Sequence, residues 1–235
     1  MSEDLRHMPY AFAFVMGAAL LAFLAKTLQG PGLLLLWPAV SFVLVALAYA
    51  GAGPKFLGKL PNGRMQPGAV LALLPYLLLT WGTWHLVRLV SRERPYDMVV
   101  PGVVAGRRLL PGELPAGTAV VLDLTAEFIE PEGICGACRY VSLPILDAST
   151  LAAGKAAPVL RELATLPGPF YVHCAQGHGR TGMIAAALLV ARGDAPDGRE
   201  ALAMIQRVRP AVRLSTAQQH ALVELADALR RDSPT

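Results

Sequence analysis

Three long stretches that are nearly free of charge constrain this chain more than any other feature. Pro9 to Leu28 carries one charge, Lys26, and neither Gly32 to Ala50 nor Gly68 to Val87 contains any Asp, Glu, Lys or Arg. A helix of about 20 apolar residues crosses the hydrocarbon core of a bilayer. In lipid the backbone must satisfy its own hydrogen bonds, which an isolated segment of this kind can do only as a helix. The expectation is an all-α transmembrane segment of two to three helices within residues 1–92, with spans near 9–28, 32–50 and 68–88. Only Gln29-Gly30-Pro31 separates the first two, so they form a tight hairpin. A cleaved signal peptide fits poorly, because the chain begins with the acidic Ser2-Glu3-Asp4 and a second apolar stretch follows at once. The third stretch contains Pro75 and ends in Trp81, Trp84, His85 and Arg88. Tryptophans at that end read as an interfacial aromatic belt with Arg88 snorkelling to the headgroups, either of a third span or of an interfacial helix.

Overall, 54% of the residues are hydrophobic and only 16% charged. The charges gather after Arg88, which separates the apolar region from a water-soluble segment over residues 96–232, long enough for one compact domain. The net charge of +4 suits anionic headgroups or phosphorylated substrates. The basic residues form no dense run and no aromatic interleaving, which argues against a nucleic-acid partner. Three cysteines, Cys135, Cys138 and Cys174, are too few for a secreted disulfide framework.

Within the soluble segment, apolar runs alternate with turn residues. Met98 to Ala105 reads as a strand or hairpin arm, Ala119 to Leu124 as a buried strand, Arg139 to Leu143 as a short strand ending at Pro144, and Pro169 to Cys174 as another strand. Helical spacing marks Leu151 to Leu166, capped by Ser149 or Thr150, then Arg180 to Arg192, Asp197 to Val208 and Ser215 to Arg231. Strands alternating with helices predict an α/β domain, a central sheet flanked by helices.

The segment from His173 to Gly182, His-Cys-Ala-Gln-Gly-His-Gly-Arg-Thr-Gly, joins the last strand to a helix. A loop at such a junction points backbone N–H groups at an anion, and the helix N-terminus adds its dipole. Gly177 and Gly179 give the backbone freedom a tight cradle needs. Arg180, six positions after Cys174, returns over the cradle with a planar fork suited to two phosphate oxygens. A thiol in this setting is readily used as a thiolate.

This string resembles the signature loop of the dual-specificity branch of the protein tyrosine phosphatase superfamily, and the resemblance covers roughly Tyr96 to Arg231. It implies the cysteine-phosphatase fold and a phosphocysteine mechanism needing neither metal nor organic cofactor. Cys174 would attack phosphorus. Ala175, Gln176, Gly177, His178, Gly179 and Arg180 would hold the phosphate, Thr181 would assist departure of the thiolate, and His173 would orient the loop. The family's general acid lies on a separate upstream loop, which Leu143-Pro144-Ile145-Leu146-Asp147 matches; Asp147 is the candidate, with helix capping as its other reading. Asp123, inside an apolar run, reads as structural.

Cys135-Gly136-Ala137-Cys138 has metal-ligand spacing without a second pair to complete a zinc site. It reads as a plain loop or as a redox pair closing a reversible disulfide, internal or to Cys174. Gln218 and Gln219 read as surface residues, with positioning of the hydrolytic water as the alternative.

Phosphoinositide phosphatases of this superfamily often carry lysines in the signature loop; here those places hold Ala175 and His178. The expected substrate is a phospholipid phosphate such as phosphatidylglycerophosphate, encountered at the bilayer. The alternatives are a phosphoprotein substrate for a tethered tyrosine or dual-specificity phosphatase, and a non-catalytic phosphate-binding membrane scaffold. Positive charges on the two sides of the spans nearly balance. The need for a reduced thiol places the catalytic domain in the cytoplasm, at a bacterial inner membrane.

Overall fold

A computed structural model describes residues 4–231. Ser2 and Glu3 of the acidic start, and Asp232 at the expected end of the soluble segment, lie outside the described residues. The chain forms two compact units. One runs to Ser91 and takes in Ala126–Ile129; the other comprises Arg92–Thr125 and the chain from Glu130.

In the first unit, α1 (Asp4–Leu28), α2 (Leu36–Leu47) and α3 (Pro67–Val90) are the main helices. Together with the 3-10 turn before α2 and the wider π turn after it, they give three segments long and apolar enough to cross a membrane: Met8–Leu28, Gly30–Ala52 and Pro67–Val90. Helices as apolar as these would gain no hydrophobic drive from one another in lipid, where small residues that permit close approach do the packing. Ala11, Ala18 and Ala25 are accordingly buried along α1, as are Ala39 and Ala46 in α2. A Cβ on Gly17 would come within 2.9 Å of the Phe42 ring. Phe14 packs edge-on against Phe42 and Tyr76 at 5.5 and 5.7 Å.

Pro75 does not end the third helix. Proline removes the N–H that would bond the carbonyl of Leu71, and the indole Nε1 of Trp37 donates to that carbonyl instead, at 3.0 Å. Beside it, the backbone N–H of Tyr76 donates to Ser41 Oγ at 3.3 Å, within a buried site. At the end of α3 the aromatic belt reading needs correction for Trp84. That ring is 2% exposed and packs edge-on against Phe128 at 5.8 Å, while Trp81 Nε1 donates to the Glu127 carbonyl at 2.9 Å.

The second unit is built on a mixed five-stranded sheet: β1 (Tyr96–Val100), β2 (Val103–Arg107), β3 (Val120–Thr125), β4 (Arg139–Ile145) and β5 (Phe170–Cys174), in the order β1-β2-β5-β3-β4. Only the β1–β2 pair is antiparallel, so the Met98–Ala105 run is a hairpin. Contrary to expectation, β4 continues through Pro144. It is an edge strand, where a missing N–H is tolerated.

Period-two alternation sorts the strands' side chains. Val103, Ala105, Val120, Leu122, Leu124, Phe170 and Val172 share one core with α5 (Ala153–Ala164), α6 (Gly179–Ala191), α7 (Gly198–Val208) and α8 (Thr216–Arg231). Val104, Val121 and Tyr171 face the other way, with Ile134 of the short α4 (Glu132–Cys135). Neither Ser149 nor Thr150 caps α5; its N-cap is Ala152, with no side-chain bond. Asp197 does cap α7, accepting from the N–H groups of Arg199 and Glu200 at 2.8 and 2.9 Å, and those bonds hold its carboxyl below the usual range.

Asp123 is fully buried on the second face. It accepts from Thr125 N and Oγ1 at 2.8 and 2.7 Å and from the Tyr140 hydroxyl at 2.6 Å. Burial first, and the Asp123 charge second, push the Tyr140 hydroxyl far above its ordinary value; burial does the same for Tyr171.

Two outcomes follow from these contacts. Trp37→Phe keeps an aromatic ring but leaves the Leu71 carbonyl without its donor. Its unfolding in detergent micelles is expected to cost about 1 kcal/mol less than wild type, and the loss should shrink in a Pro75→Ala background, which restores a backbone donor. The raised Tyr140 and Tyr171 values contribute stability that is fully present below the unfolded tyrosine pKa of about 10 and is lost as pH rises above it. Stability of the wild-type protein, followed by chemical denaturation, should therefore fall steeply above that pH, and Tyr140→Phe should flatten the fall.

Candidate active site

Alternation along β5 decides what each face receives. Cys174 lies on the helix-covered face, 4% exposed, in the cluster that holds Phe170 and Val172. His173 points the other way and is fully buried, its ring tilted against Tyr171 at 5.5 Å. Its Nδ1 is 4.0 Å from Asp123 Oδ1 and its Nε2 4.0 Å from Glu130 Oε1. Glu130 in turn accepts from Arg108 Nε at 3.1 Å, in a buried ion pair. His173 thus lies beneath the strand end, between two buried carboxylates. Among the described residues, Asp123, Glu130 and His173 are a group whose ligand-type atoms could hold a metal ion, all within 4.8 Å of one another.

Ala175, Gln176, Gly177 and His178 connect β5 directly to α6. No side chain caps α6 at His178, and the first-turn N–H groups of a helix have no partner within it. The loop therefore meets unsatisfied donors and the positive end of the helix dipole. Gly177 has φ +75°, and a Cβ there would lie 2.5 Å from the Gly106 carbonyl carbon, so both conformation and space require glycine. The loop is seated against the end of β2: Arg108 N–H donates to the Ala175 carbonyl at 3.2 Å, and Thr181 Oγ1, fully buried, reaches the Gly106 carbonyl at 3.4 Å.

Arg180 is 2% exposed although it is charged. Its Nη1 donates to the Ile145 carbonyl at 2.9 Å, and its Nη2 is 3.0 Å from Asp147 Oδ1. The end of β4 is thereby joined to the start of α6, and the largely exposed Asp147 carboxyl comes to the same place as the loop. His178, half-buried at the loop's rim, pairs with Glu93 at 2.7 Å.

The other candidates separate. Cys138 packs among the residues of the second sheet face, opposite the core that holds Cys174, so the sheet stands between those two thiols. All three cysteines are free, and burial raises the Cys138 thiol. Gln219 is at the surface, bonded to the Leu214 carbonyl. Gln218 is not: it is 3% exposed, and a Cβ on Gly179 would meet its amide oxygen at 2.7 Å. Sequence reasoning also missed Glu130 and Arg108, since nothing in the order of residues pairs an arginine after β2 with a glutamate after β3.

Comparison with known proteins agrees with this geometry. The family described as PTP-SAK, the Swiss Army Knife protein DSP-PTPase phosphatase domain, matches residues 112–227. Among solved structures, PTPMT1 in complex with PI(5)P is similar with a TM-score of 0.53 and 16% identity, covering 60% of this chain and all (100%) of that one. The human tyrosine phosphatase-like serine/threonine/tyrosine-interacting protein aligns with a TM-score of 0.50 and 21% identity over 59% of this chain and 99% of its own. A variant of human DUSP28 aligns with a TM-score of 0.50 and 18% identity, over 60% of this chain and 100% of its own. At such identities the likeness speaks to fold. No curated protein matches the sequence. The family match makes residues 112–227, the segment that holds Cys174, a DSP-PTPase type phosphatase domain, a cysteine-based phosphoric monoester hydrolase, with three helices long and apolar enough to cross a membrane ahead of it in the chain.

Proposed function

We propose that residues 1–92 anchor the protein in a membrane and that residues 96–232 hydrolyse a phosphomonoester through a phosphocysteine. The observation that carries this reading is the buried Arg180, which lies at the head of α6 and pairs with Asp147 at 3.0 Å. The thiolate of Cys174 attacks phosphorus; the S–P bond forms as the bond to the leaving oxygen breaks, and Asp147 gives that oxygen its proton. The loop from Ala175 to Gly179 and the guanidinium of Arg180 hold the non-bridging oxygens. Water then attacks phosphorus, Asp147 takes its proton, and the Cys174 thiolate leaves with help from Thr181. His173 keeps the loop in place from below.

The substrate in this reading is a lipid phosphate, of which phosphatidylglycerophosphate is the example. Three apolar helices hold the domain near headgroups and raise the encounter rate. The loop carries Ala175 and His178, the latter paired with Glu93, so it offers little charge for a second phosphate. The bound PI(5)P of PTPMT1, a lipid monophosphate in a similar fold, supports the same class. A thiol nucleophile works in a reducing compartment, which supports a cytoplasmic position for the catalytic unit at a bacterial inner membrane. The redox reading of Cys135 and Cys138 is confined to a bond between those two.

Phosphate release by the full-length protein in detergent micelles tests the function. The panel holds phosphatidylglycerophosphate, phosphatidylinositol phosphates and a phosphotyrosine peptide. Release is expected chiefly from phosphatidylglycerophosphate, to be abolished by Cys174→Ser and lowered about a hundredfold in kcat by Asp147→Asn. Release mainly from the peptide would assign a tethered protein phosphatase. A folded, reduced protein that binds phosphate but releases none would be a scaffold.

A further inference from the structure

We propose that Gln218, on α8, is a positioning residue that holds the turn bearing Asp147 against the phosphate loop. The inference rests on the reading of Asp147 as general acid and adds a residue to it.

That turn is costly by itself. Ser149 N–H donates to the Leu146 carbonyl at 3.1 Å, closing a turn around Asp147 and Ala148, and Ser149 Oγ reaches the Asp147 carbonyl at 3.4 Å. Ala148 has φ +55°, a left-handed conformation that a residue with a Cβ adopts at a cost. Such conformations persist only where the surroundings over-determine them. The ion pair between Asp147 and Arg180 cannot be the whole reason, because the Asp147 side chain is 71% exposed and exposed pairs contribute little.

Gln218 supplies a further hold. Ser215 and Gln218 form a reciprocal capping box at the start of α8: Gln218 N–H donates to Ser215 Oγ, and Ser215 N–H donates to Gln218 Oε1, each at 3.2 Å. The box fixes which end of the amide is which. Its Nε2 then donates to the Ser149 carbonyl at 3.2 Å, inside the protein. The other side of the same amide lies against Gly179, where any side chain would collide with it. One buried amide therefore touches the start of α6, one residue before Arg180, and the carbonyl two residues after Asp147. It fixes the acid relative to the arginine that grips phosphate.

A misplaced acid has a kinetic signature that general destabilisation lacks. Protonation matters for a poor leaving group and little for a good one. In the full-length protein in micelles, Gln218→Met is expected to lower kcat on phenyl phosphate about tenfold and on p-nitrophenyl phosphate less than about twofold, with KM for both nearly unchanged. Gln218→Glu keeps the box acceptor and the side-chain volume, so it serves if the Met variant fails to fold, and the same bias is expected. Adding Gln218→Met to Asp147→Asn should bring no further loss, since both act on one step. Ala148→Gly, which relieves the left-handed cost, should recover about threefold of the kcat lost in Gln218→Met. Equal losses on both substrates, a further loss in the Asp147→Asn background, or no recovery with Ala148→Gly would overturn the proposal. If Asp147→Asn shows no leaving-group bias, the acid assignment itself has failed and takes the proposal with it. Bias in Asp147→Asn but none in Gln218→Met would sink the positioning role alone.

Discussion

The catalytic unit depends on the junction where β5 becomes α6. A strand alternates its side chains and a helix begins with open N–H groups; placing one directly after the other puts Cys174 on the core side, His173 on the far side and an anion site between strand and helix. The two faces then have different tasks. Beneath α5–α8 the core is apolar and every residue of α6 from Arg180 to Val190 is buried. On the other face, burial of Asp123, Glu130 and His173 requires polar partners, which Tyr140, Thr125 and Arg108 supply. Gly177 fits so closely over the end of β2 that a Cβ there would meet the backbone of Gly106 and Arg107 at 2.5–2.6 Å, so the loop seats in this place only with glycine.

Arg180 links this junction to the rest of the chemistry. A buried guanidinium is tolerated only with acceptors in place; here they are the Ile145 carbonyl and the Asp147 carboxyl. The parallel order β5-β3-β4 brings the C-terminal ends of these strands to one edge of the sheet, so a residue just past β4 and a residue just past β5 meet although they are far apart in sequence. The active-site geometry is a consequence of sheet topology together with one long side chain.

Much of this was legible in the residues. The uncharged stretches announce the three long apolar helices, and the string from His173 to Gly182 announces the loop between β5 and α6 through its glycines and its place between an apolar strand and a helix. Pro144 misled because a proline reads as a strand end unless the strand is known to lie at an edge, and edge position is a property of the sheet. Trp84 misled for a similar reason: a tryptophan near the end of an apolar helix suits an interface, and only the contact with Phe128 removes it from one. Gln218 was hidden more deeply. Ser-Thr-Ala-Gln before an apolar helix signals a capping box, but its second contact, to Ser149, joins segments that no local pattern connects.

The two units, one mostly apolar and one richer in charge, meet one shared demand in the same manner. In α3 the proline at 75 leaves the Leu71 carbonyl without a helical donor, and in the acid turn the left-handed Ala148 turns the Ser149 carbonyl away from regular structure. Each carbonyl is met by an N–H from a side chain on a distant helix or turn: Trp37 in the first unit, Gln218 in the second. An unmet carbonyl in lipid or in a protein interior costs about 1–3 kcal/mol, enough to favour another local conformation. A single donor can therefore do more than stabilise. It selects which of several backbone arrangements the irregular segment keeps, at the proline inside α3 as at the turn that carries the candidate acid.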